Sequence, residues 1–235
     1  MAEPVIPDFG EGSPCVTENR TFCTDWVREN WDPVLQPALV EHIELTLIAV
    51  GIGFAISLAA ALAAHRLRFV ETPFALASAV IYTIPSLALF QLLVPFTGLS
   101  VTTVEVALVG YTLLILFRNI LAGLRSAPPE VLEAARGMGL TPTQTLVRVE
   151  LPLALPAIVA GLRIAVVSTI ALATVAAFVV SQGLGRPILS ALPLNFKTEI
   201  IAAGALAVGL AIFADTLLVV AQRLLAPWAS ARRTV

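Results

Sequence analysis

Residues 129–156, PEVLEAARGMGLTPTQTLVRVELPLALP, form the longest polar interruption in a chain that otherwise consists of apolar segments. Pro128 and Pro129 fit the first turn of a helix, where the missing N–H of proline costs little. Gly137 and Gly139 favour the end of that helix, because glycine adopts the left-handed conformation at a helix C-terminus without penalty. The stretch therefore predicts a short helix that stops at a glycine turn.

A second helix start follows the glycine turn. Thr141 precedes Pro142, and Gln144 lies three residues after Thr141, which is the spacing of a capping box. Pro152 and Pro156 then open the next apolar segment. Two short helices lying across a membrane surface would form a protrusion that a soluble partner could grip.

The rest of the chain has the composition of a polytopic membrane protein. Of its 235 residues, 58% are hydrophobic and only 13% are charged, and the mean hydropathy is +0.91. Five apolar segments are each long enough to cross ~30 Å of hydrocarbon at about 1.5 Å per residue. They cover approximately residues 43–64, 74–96, 103–121, 152–180 and 200–224. We therefore predict an all-α fold with about five transmembrane helices.

Two features outside residues 129–156 also interrupt the apolar pattern. The second segment contains YTIPS at residues 82–86, where Pro85 removes a backbone hydrogen bond and predicts a kink. Residues 181–199 are too polar and too rich in glycine to cross, which predicts a re-entrant or amphipathic segment buried against protein. The sequence Gly-Leu-Gly at residues 183–185 follows no predicted strand, so we interpret it as a turn.

The N-terminal region differs from the rest of the chain. Residues 1–20 are rich in proline, glycine and acidic residues and predict a loose tail. Trp26 and Trp31 lie beside charged residues within residues 24–39, a pattern that favours a short interfacial helix. A small ligand cage made by the two tryptophans is the weaker alternative.

Both cysteines of the chain lie in this region. If the tail is extracytoplasmic, Cys15 and Cys23 could form a small-loop disulfide, and two separate thiols are the alternative. Their spacing does not suit a metal site, because no further ligands are near in the sequence.

Several positions within residues 129–156 match a known signature. The sequence Glu-Ala-Ala is followed after three residues by glycine, and Val-Glu-Leu-Pro begins nine residues later. This pattern resembles the EAA signature of the permease subunits of ABC importers, with Val149 in place of isoleucine as the only departure. The positions that the resemblance implies for coupling to an ATPase are Glu133, Ala134, Ala135, Gly139, Leu151 and Pro152.

The resemblance implies the type I ABC importer fold, in which this loop is cytosolic and docks into a cleft on the ATPase subunit. It implies a transmembrane domain over residues 41–226, an extracytoplasmic tail with the interfacial helix over residues 1–40, and a cytosolic tail over residues 227–235. The implied partners are a dimer of ABC ATPases, a second permease copy or a related permease, an extracytoplasmic solute-binding protein and the lipid bilayer, with no nucleic acid.

Catalytic sequence patterns are absent from this chain. It has no GxxxxGK[ST] sequence, so we expect ATP and Mg²⁺ to be bound by the partner ATPase. It also lacks HExxH, GxSxG and any metal-spaced cluster of histidine and cysteine. We expect no enzyme activity, no cofactor and no metal on this chain itself.

The basic residues give an independent indication of orientation. If residues 130–156 are cytosolic, five spans place the N-terminus outside and the C-terminus in the cytosol. The basic side chains that then fall inside are Arg66, Arg68, Arg125, Arg136, Arg148, Arg223, Arg232 and Arg233, against Arg20, Arg28, Arg186 and Lys197 outside. This distribution agrees with the positive-inside rule. The predicted location is the plasma membrane, and the family implies a bacterial one.

Further sequences are similar to the osmoprotectant branch of this family, which imports glycine betaine, choline, carnitine or proline. They are EHIELT (41–46), IPSLA (84–88), FRN (117–119), ELPLALP (150–156) and GLG (183–185). In that family a separate binding protein captures the solute, usually in an aromatic cage. An importer of a small compatible solute is therefore expected. The alternatives are the same mechanism acting on an amino acid or another small solute, and a membrane scaffold without transport.

Polar and aromatic residues within the spans are candidates for the translocation path, namely Tyr82, Pro85, Ser86, Glu105, Tyr111 and Asp215. For Asp215, a hydrogen bond to serine, threonine or backbone is favoured over pairing with Arg163, which is expected to snorkel to the cytosolic face. Glu105 is expected to be solvated near the outer end of its span rather than to face a quaternary ammonium group. His42 and His65 are expected to be interfacial residues.

Overall fold

The structure is a computed structural model that describes Cys15 and residues 18–228. Its helices are α1 (Thr24–Glu29), α2 (Gln36–Arg66), α3 (Arg68–Thr83), α4 (Ser86–Thr97), α5 (Val101–Leu124), α6 (Pro129–Gly137), α7 (Pro142–Thr145), α8 (Leu151–Ala176), α9 (Gly185–Ala191) and α10 (Lys197–Leu225). Two π turns, Trp31–Leu35 and Leu146–Glu150, lead into α2 and α8. The described residues contain no β-strand, so the all-α prediction is confirmed.

Within the described part of the chain, four helical runs are long and apolar enough to cross a membrane. They are Trp31–Arg66, Val101–Leu124, Pro142–Ala176 and Lys197–Leu225. The pair α3 and α4 provides a fifth span if it is counted as one, but its halves meet at 103°. The break at Pro85 is therefore much sharper than the predicted kink.

The first span begins earlier than residue 43, where the sequence analysis placed it. The predicted interfacial helix over residues 24–39 is divided between α1 and the π turn that continues directly into α2. Leu35 donates its N–H to the carbonyl of Asn30, five residues earlier, and Gln36 donates to that of Trp31. Pro37 follows this turn and has no N–H with which to extend an α-helical ladder.

The fourth span also begins earlier than predicted. The short helix that starts at the Thr141 capping box does not stop before the membrane segment, because the second π turn joins α7 to α8. Leu151 donates its N–H to the carbonyl of Leu146 across this turn. Pro152 follows this turn and, like Pro37, has no N–H with which to extend an α-helical ladder.

Helix α5 is the centre of the bundle and packs against α2, α3, α4 and α8. Its buried face is continuous from Val104 to Leu124, and it contributes the fully buried Leu108 to one cluster and Phe117 to another. On α2, a β-carbon on Gly53 would lie 1.8 Å from Thr112 Oγ1, so the close crossing of these two helices requires glycine at that point.

Helix α10 has the least cover of the spanning helices. It packs against α8, α9 and α1, and only 6% of its most apolar window is buried. Large apolar side chains such as Val208, Ile212 and Phe213 are therefore exposed along it. This face needs lipid or another protein to cover it.

A third cluster joins the N-terminal segment to the connection between α8 and α10. Trp26 packs edge-on against Phe196, with ring centroids 5.2 Å apart, while Trp31 remains partly exposed. The two tryptophans therefore do not form a cage. Cys15 and Cys23 form a disulfide, the first of the two alternatives that their spacing left open. We call this end of the bundle, with residues 18–31 and 181–197, the tail end, and the opposite end the motif end.

Candidate functional site: the elbow, the helix break and an intramembrane ion pair

The segment at the motif end, residues 125–150, is called the elbow here. Helix α6 ends in a Schellman motif, in which Gly139 has φ +78°, its N–H binds the carbonyl of Arg136, and Leu140 N–H binds that of Ala135. Ala135 and Gly139 thus belong to one capping motif, which runs from Ala135 to Leu140. This geometry gives a physical reason for the spacing between the alanines and the glycine of the signature.

The second half of the elbow begins with the predicted capping box. Thr141 N–H binds Gln144 Oε1 at 2.8 Å, and Gln144 N–H binds Thr141 Oγ1 at 3.3 Å. The Schellman motif ends at Leu140 and the capping box begins at Thr141, so the chain turns from α6 into α7 with little freedom. The elbow is consequently a rigid protrusion rather than a loose loop.

Residues of the signature divide into supporting and exposed positions. Ala135 is fully buried, and Leu151 and Pro152 are half-buried at the start of α8. Glu133 and Ala134 are exposed, and no heavy atom lies within 4 Å of the place where a β-carbon on Gly139 would be. A soluble partner would therefore contact the first residues of the signature and the glycine turn.

Three polar contacts tie the elbow to the junction between α2 and α3. His65 Nε2 lies 2.9 Å from Glu150 Oε2, and Arg66 Nη2 lies 3.3 Å from Thr143 Oγ1. The third is a two-bond ion pair between Arg125 and Glu71. None of these contacts follows from the sequence pattern, because His65 and Glu150 are 85 positions apart and only the fold brings them together.

Arg125 and Glu71 form the third contact at the start of the elbow. Arg125 Nη1 and Nη2 lie 3.0 and 2.7 Å from the two carboxylate oxygens of Glu71. Both side chains are more than one third exposed, so this pair is a solvated fork-to-fork contact with specific geometry rather than a large source of stability. Both ends of the elbow are therefore attached to the α2–α3 junction.

The break between α3 and α4 borders a cavity of about 440 Å³, the break cavity. Four of the six path candidates line it, namely Tyr82, Pro85, Ser86 and Tyr111. The hydroxyl of Tyr111 donates a hydrogen bond to the Ile84 carbonyl, which the broken helix would otherwise leave without a partner. The rings of Tyr82 and Tyr111 lie edge-to-face with centroids 6.1 Å apart. The cavity thus combines an aromatic pair with irregular backbone.

Asp215 does not lie in the break cavity, and the preferred expectation for its partner is wrong. Its two carboxylate oxygens accept hydrogen bonds from Arg163 Nε at 2.7 Å and Nη2 at 2.9 Å. Arg163 accordingly does not snorkel to a membrane face, because a carboxylate within reach on α10 compensates its charge within the span. The pair borders a second cavity of about 480 Å³, the ion-pair cavity.

The expectations for Glu105 and His42 are also wrong. Both carboxylate oxygens of Glu105 are buried and make no hydrogen bond within the described part of the chain. His42 is fully buried rather than interfacial. Its Nε2 lies 3.0 Å from the Ile170 carbonyl oxygen, and its Nδ1 accepts a hydrogen bond from the Leu184 N–H. His65 is near the predicted helix end, but it binds Glu150.

Comparisons with known proteins agree with this architecture. The model of the family described as "Binding-protein-dependent transport system inner membrane component" matches residues 51–231. The choline transport system permease protein OpuBB of Bacillus subtilis is 37% identical over 188 residues, which cover 80% of this chain and 86% of that protein. The osmoprotectant import permease protein OsmW of Salmonella typhimurium is 36% identical over 192 residues, 80% of this chain and 89% of that protein.

The fold itself has been seen in a solved transporter. A structure of the MetNI methionine ABC transporter in an inward-facing conformation matches with a TM-score of 0.68 and 22% identity, over 79% of this chain and 93% of that one. At this identity the likeness concerns the fold alone. It confirms the predicted type I importer fold of the transmembrane domain.

Proposed function

Because this chain belongs to the family of binding-protein-dependent transport system inner membrane components, we propose that it is the membrane subunit of an ATP-driven importer of small osmoprotectants. The solutes are glycine betaine, carnitine, choline or proline. Relatives at 34–37% identity are choline, osmoprotectant and glycine betaine/carnitine/choline permeases, which supports this class of solute.

The elbow is the observation that carries the proposal. A rigid protrusion with Glu133, Ala134 and the Gly139 turn exposed provides a surface for a separate ATPase, and this chain supplies no nucleotide-binding sequence of its own. Movement of the ATPase dimer displaces the elbow. Because the elbow is continuous with α8 and bound to the α2–α3 junction, the displacement tilts several spans together.

The motif end faces the cytosol and the tail end faces the outside of a bacterial plasma membrane. The basic residues Arg66, Arg68, Arg125, Arg136 and Arg148 at the motif end support this orientation. The disulfide at the tail end supports it as well, because disulfides persist in oxidising compartments. A solute-binding protein docks at the tail end and delivers the solute.

A second permease subunit completes the path. The break cavity between α3 and α4 is open rather than enclosed by the described residues, and the exposed face of α10 requires cover. Two copies of this chain, or this chain with a related permease, would place two such cavities around a shared path. Tyr82, Pro85, Ser86 and Tyr111 then line the path, and the two tyrosine rings attract a quaternary ammonium group.

Reconstituted transport tests this function. The chain is purified with its cognate ATPase, placed in proteoliposomes with the binding protein, and supplied with radiolabelled glycine betaine, carnitine, choline or proline. We expect ATP-dependent accumulation of at least one of these solutes. Accumulation of an amino acid other than proline would replace the solute class while keeping the mechanism. An assembled complex that hydrolyses ATP without accumulating any solute would overturn the transport function and leave a scaffold.

A further inference from the structure

The Arg163–Asp215 pair lies deep within the membrane, yet it is not enclosed by this chain. Arg163 is midway along the 26-residue helix α8, and Asp215 is about two thirds of the way along the 29-residue helix α10. Both side chains are 35% exposed. Ionised side chains at such depth almost always face protein or a water-filled cavity, because hydrocarbon solvates them poorly. The open side of this pair therefore faces an aqueous or protein-lined space.

The ion-pair cavity provides that space, and it adjoins the break cavity. Its walls are Ala160, Arg163, Ile164, Val167, Ser168 and Asp215. Apart from the ion pair, only Ser168 offers a polar side chain, and Ser168 also lines the break cavity. The break cavity and the ion-pair cavity therefore share Ser168 of α8 in their walls.

The geometry of the pair leaves one side of the guanidinium available. Asp215 accepts from Nε and Nη2, whereas Nη1 makes no hydrogen bond within the described residues. Asp215 fixes the orientation of the planar group and neutralises most of its charge. Nη1 can then donate to one further acceptor at low cost in side-chain entropy.

We propose that this pair is a binding site for the carboxylate of a zwitterionic solute on the translocation path. The solute carboxylate accepts from Arg163 Nη1, and its quaternary ammonium group lies toward the Asp215 carboxylate or the two tyrosine rings. A zwitterion placed antiparallel to the ion pair adds no net charge to the membrane interior. A cation without a carboxylate, such as choline, leaves Nη1 unpaired and is bound more weakly. This inference rests on the proposed function and narrows its substrate class to carboxylate-bearing solutes.

Equilibrium binding tests the site separately from transport. Radiolabelled glycine betaine is titrated into the purified permease–ATPase complex without binding protein, with choline as competitor. We expect saturable binding that tenfold excess choline does not displace. The double variant Arg163→Gln with Asp215→Asn keeps similar shapes and removes both charges, so it should assemble while its affinity for glycine betaine falls at least tenfold.

The matched control removes the other two-bond arginine–carboxylate pair among the described residues. Glu71→Gln with Arg125→Gln makes the same chemical change at the motif end, away from both cavities. We expect the affinity for glycine betaine to stay within about twofold of that of the unmodified complex, because an exposed ion pair contributes little free energy. A loss of affinity as large as that of the Arg163 variant would show that the effect is not local to the site.

Three results would overturn the proposal. They are no saturable binding to the unmodified complex, displacement by choline as effective as that by glycine betaine, and a double variant that binds normally. A double variant that binds normally but no longer forms a permease dimer would assign the pair to the subunit interface instead. ATP-driven uptake measured on the same preparation with binding protein decides the proposed function independently, because it can succeed whether or not this site exists.

Discussion

The two ends of the bundle are held in different ways. At the tail end, a disulfide, the Trp26–Phe196 contact and the buried His42 fix the chain through groups removed from solvent. At the motif end, the elbow buries only Ala135 and Thr145 and is otherwise attached through three polar contacts, of which only His65–Glu150 is largely shielded. Buried packing resists displacement, whereas exposed polar contacts are weak and easily re-formed. The comparison indicates a rigid end and an end that can transmit movement.

The largest expected effect comes from the tail end, at the Gly-Leu-Gly turn. A β-carbon on Gly185 would lie 2.1 Å from the carbonyl oxygen of Thr174, which is backbone and cannot move aside cheaply. We expect Gly185→Val to destabilise the protein by roughly 3 kcal/mol and to lower its yield and melting temperature in detergent.

The control for this prediction is another glycine near the same end. On α10, no heavy atom lies within 4 Å of the position that a β-carbon on Gly204 would take. Gly204→Val should therefore fold with a melting temperature close to that of the unmodified chain. If Gly185→Val were equally stable, the tail end would not be the rigid end.

The next largest effect should appear at the motif end and concern transport rather than folding. Gly139 has φ +78°, so Gly139→Val strains the turn by roughly 1–2 kcal/mol and places a branched side chain where a partner would dock. We expect ATP-driven uptake to be abolished while membrane insertion and yield are retained.

Gly137 provides the matched variant for Gly139. It also has open space at its β-carbon position, but its φ is not in the left-handed region, so Gly137→Val adds the same bulk without the turn strain. We expect it to retain more uptake than Gly139→Val. Full uptake in Gly139→Val would contradict the coupling role of the elbow.

A smaller effect is expected from the ion pair at the start of the elbow. Glu71→Arg places two like charges together where Arg125 now binds both carboxylate oxygens. Since exposed pairs contribute at most about 1 kcal/mol, we expect coupled uptake to fall by up to roughly fivefold.

Reversal of the pair makes this prediction specific. Adding Arg125→Glu to Glu71→Arg should restore most of the uptake, because the attraction returns with the partners exchanged. The same exchange of Glu18 and Arg20, an exposed pair at the tail end, should leave uptake unchanged throughout. If uptake were not restored in the reversed pair, Arg125 would act through another contact.

The sequence predicted local structure well wherever the signal lay within a few residues. The capping box at Thr141 and the helix end at Gly137 are both present, because each depends on hydrogen bonds between near neighbours. The spans were also recognisable, but two of their starts were misplaced. A π turn carries the fourth span through the position where Pro152 predicted a boundary, and another joins the predicted interfacial segment to the first span.

Contacts between distant residues could not be predicted in the same way. Glu41 accepts the N–H of Gly183 at 2.9 Å, and His42 accepts that of Leu184, across 142 positions. Arg163 and Asp215 were each recognised as unusual in a membrane segment, but only the packing of α8 against α10 shows that they meet. Arguments from single residues predict that each charge is costly within the membrane, but they do not identify the residue that compensates it.

The smallest effect on transport is expected from the disulfide at the tail end. Its two cysteines are eight positions apart, and closing so short a loop stabilises the connected segment by about 2–3 kcal/mol in the chain-entropy description. Other contacts hold the same segment, because the Asn19 side chain binds the Asn195 carbonyl and the Lys197 N–H. We therefore expect Cys15→Ser with Cys23→Ser to increase proteolysis of the tail while maximal uptake stays within about twofold. A severe loss of uptake would instead make the tail part of the transport machinery, and the rigid end would then also take part in transmitting movement.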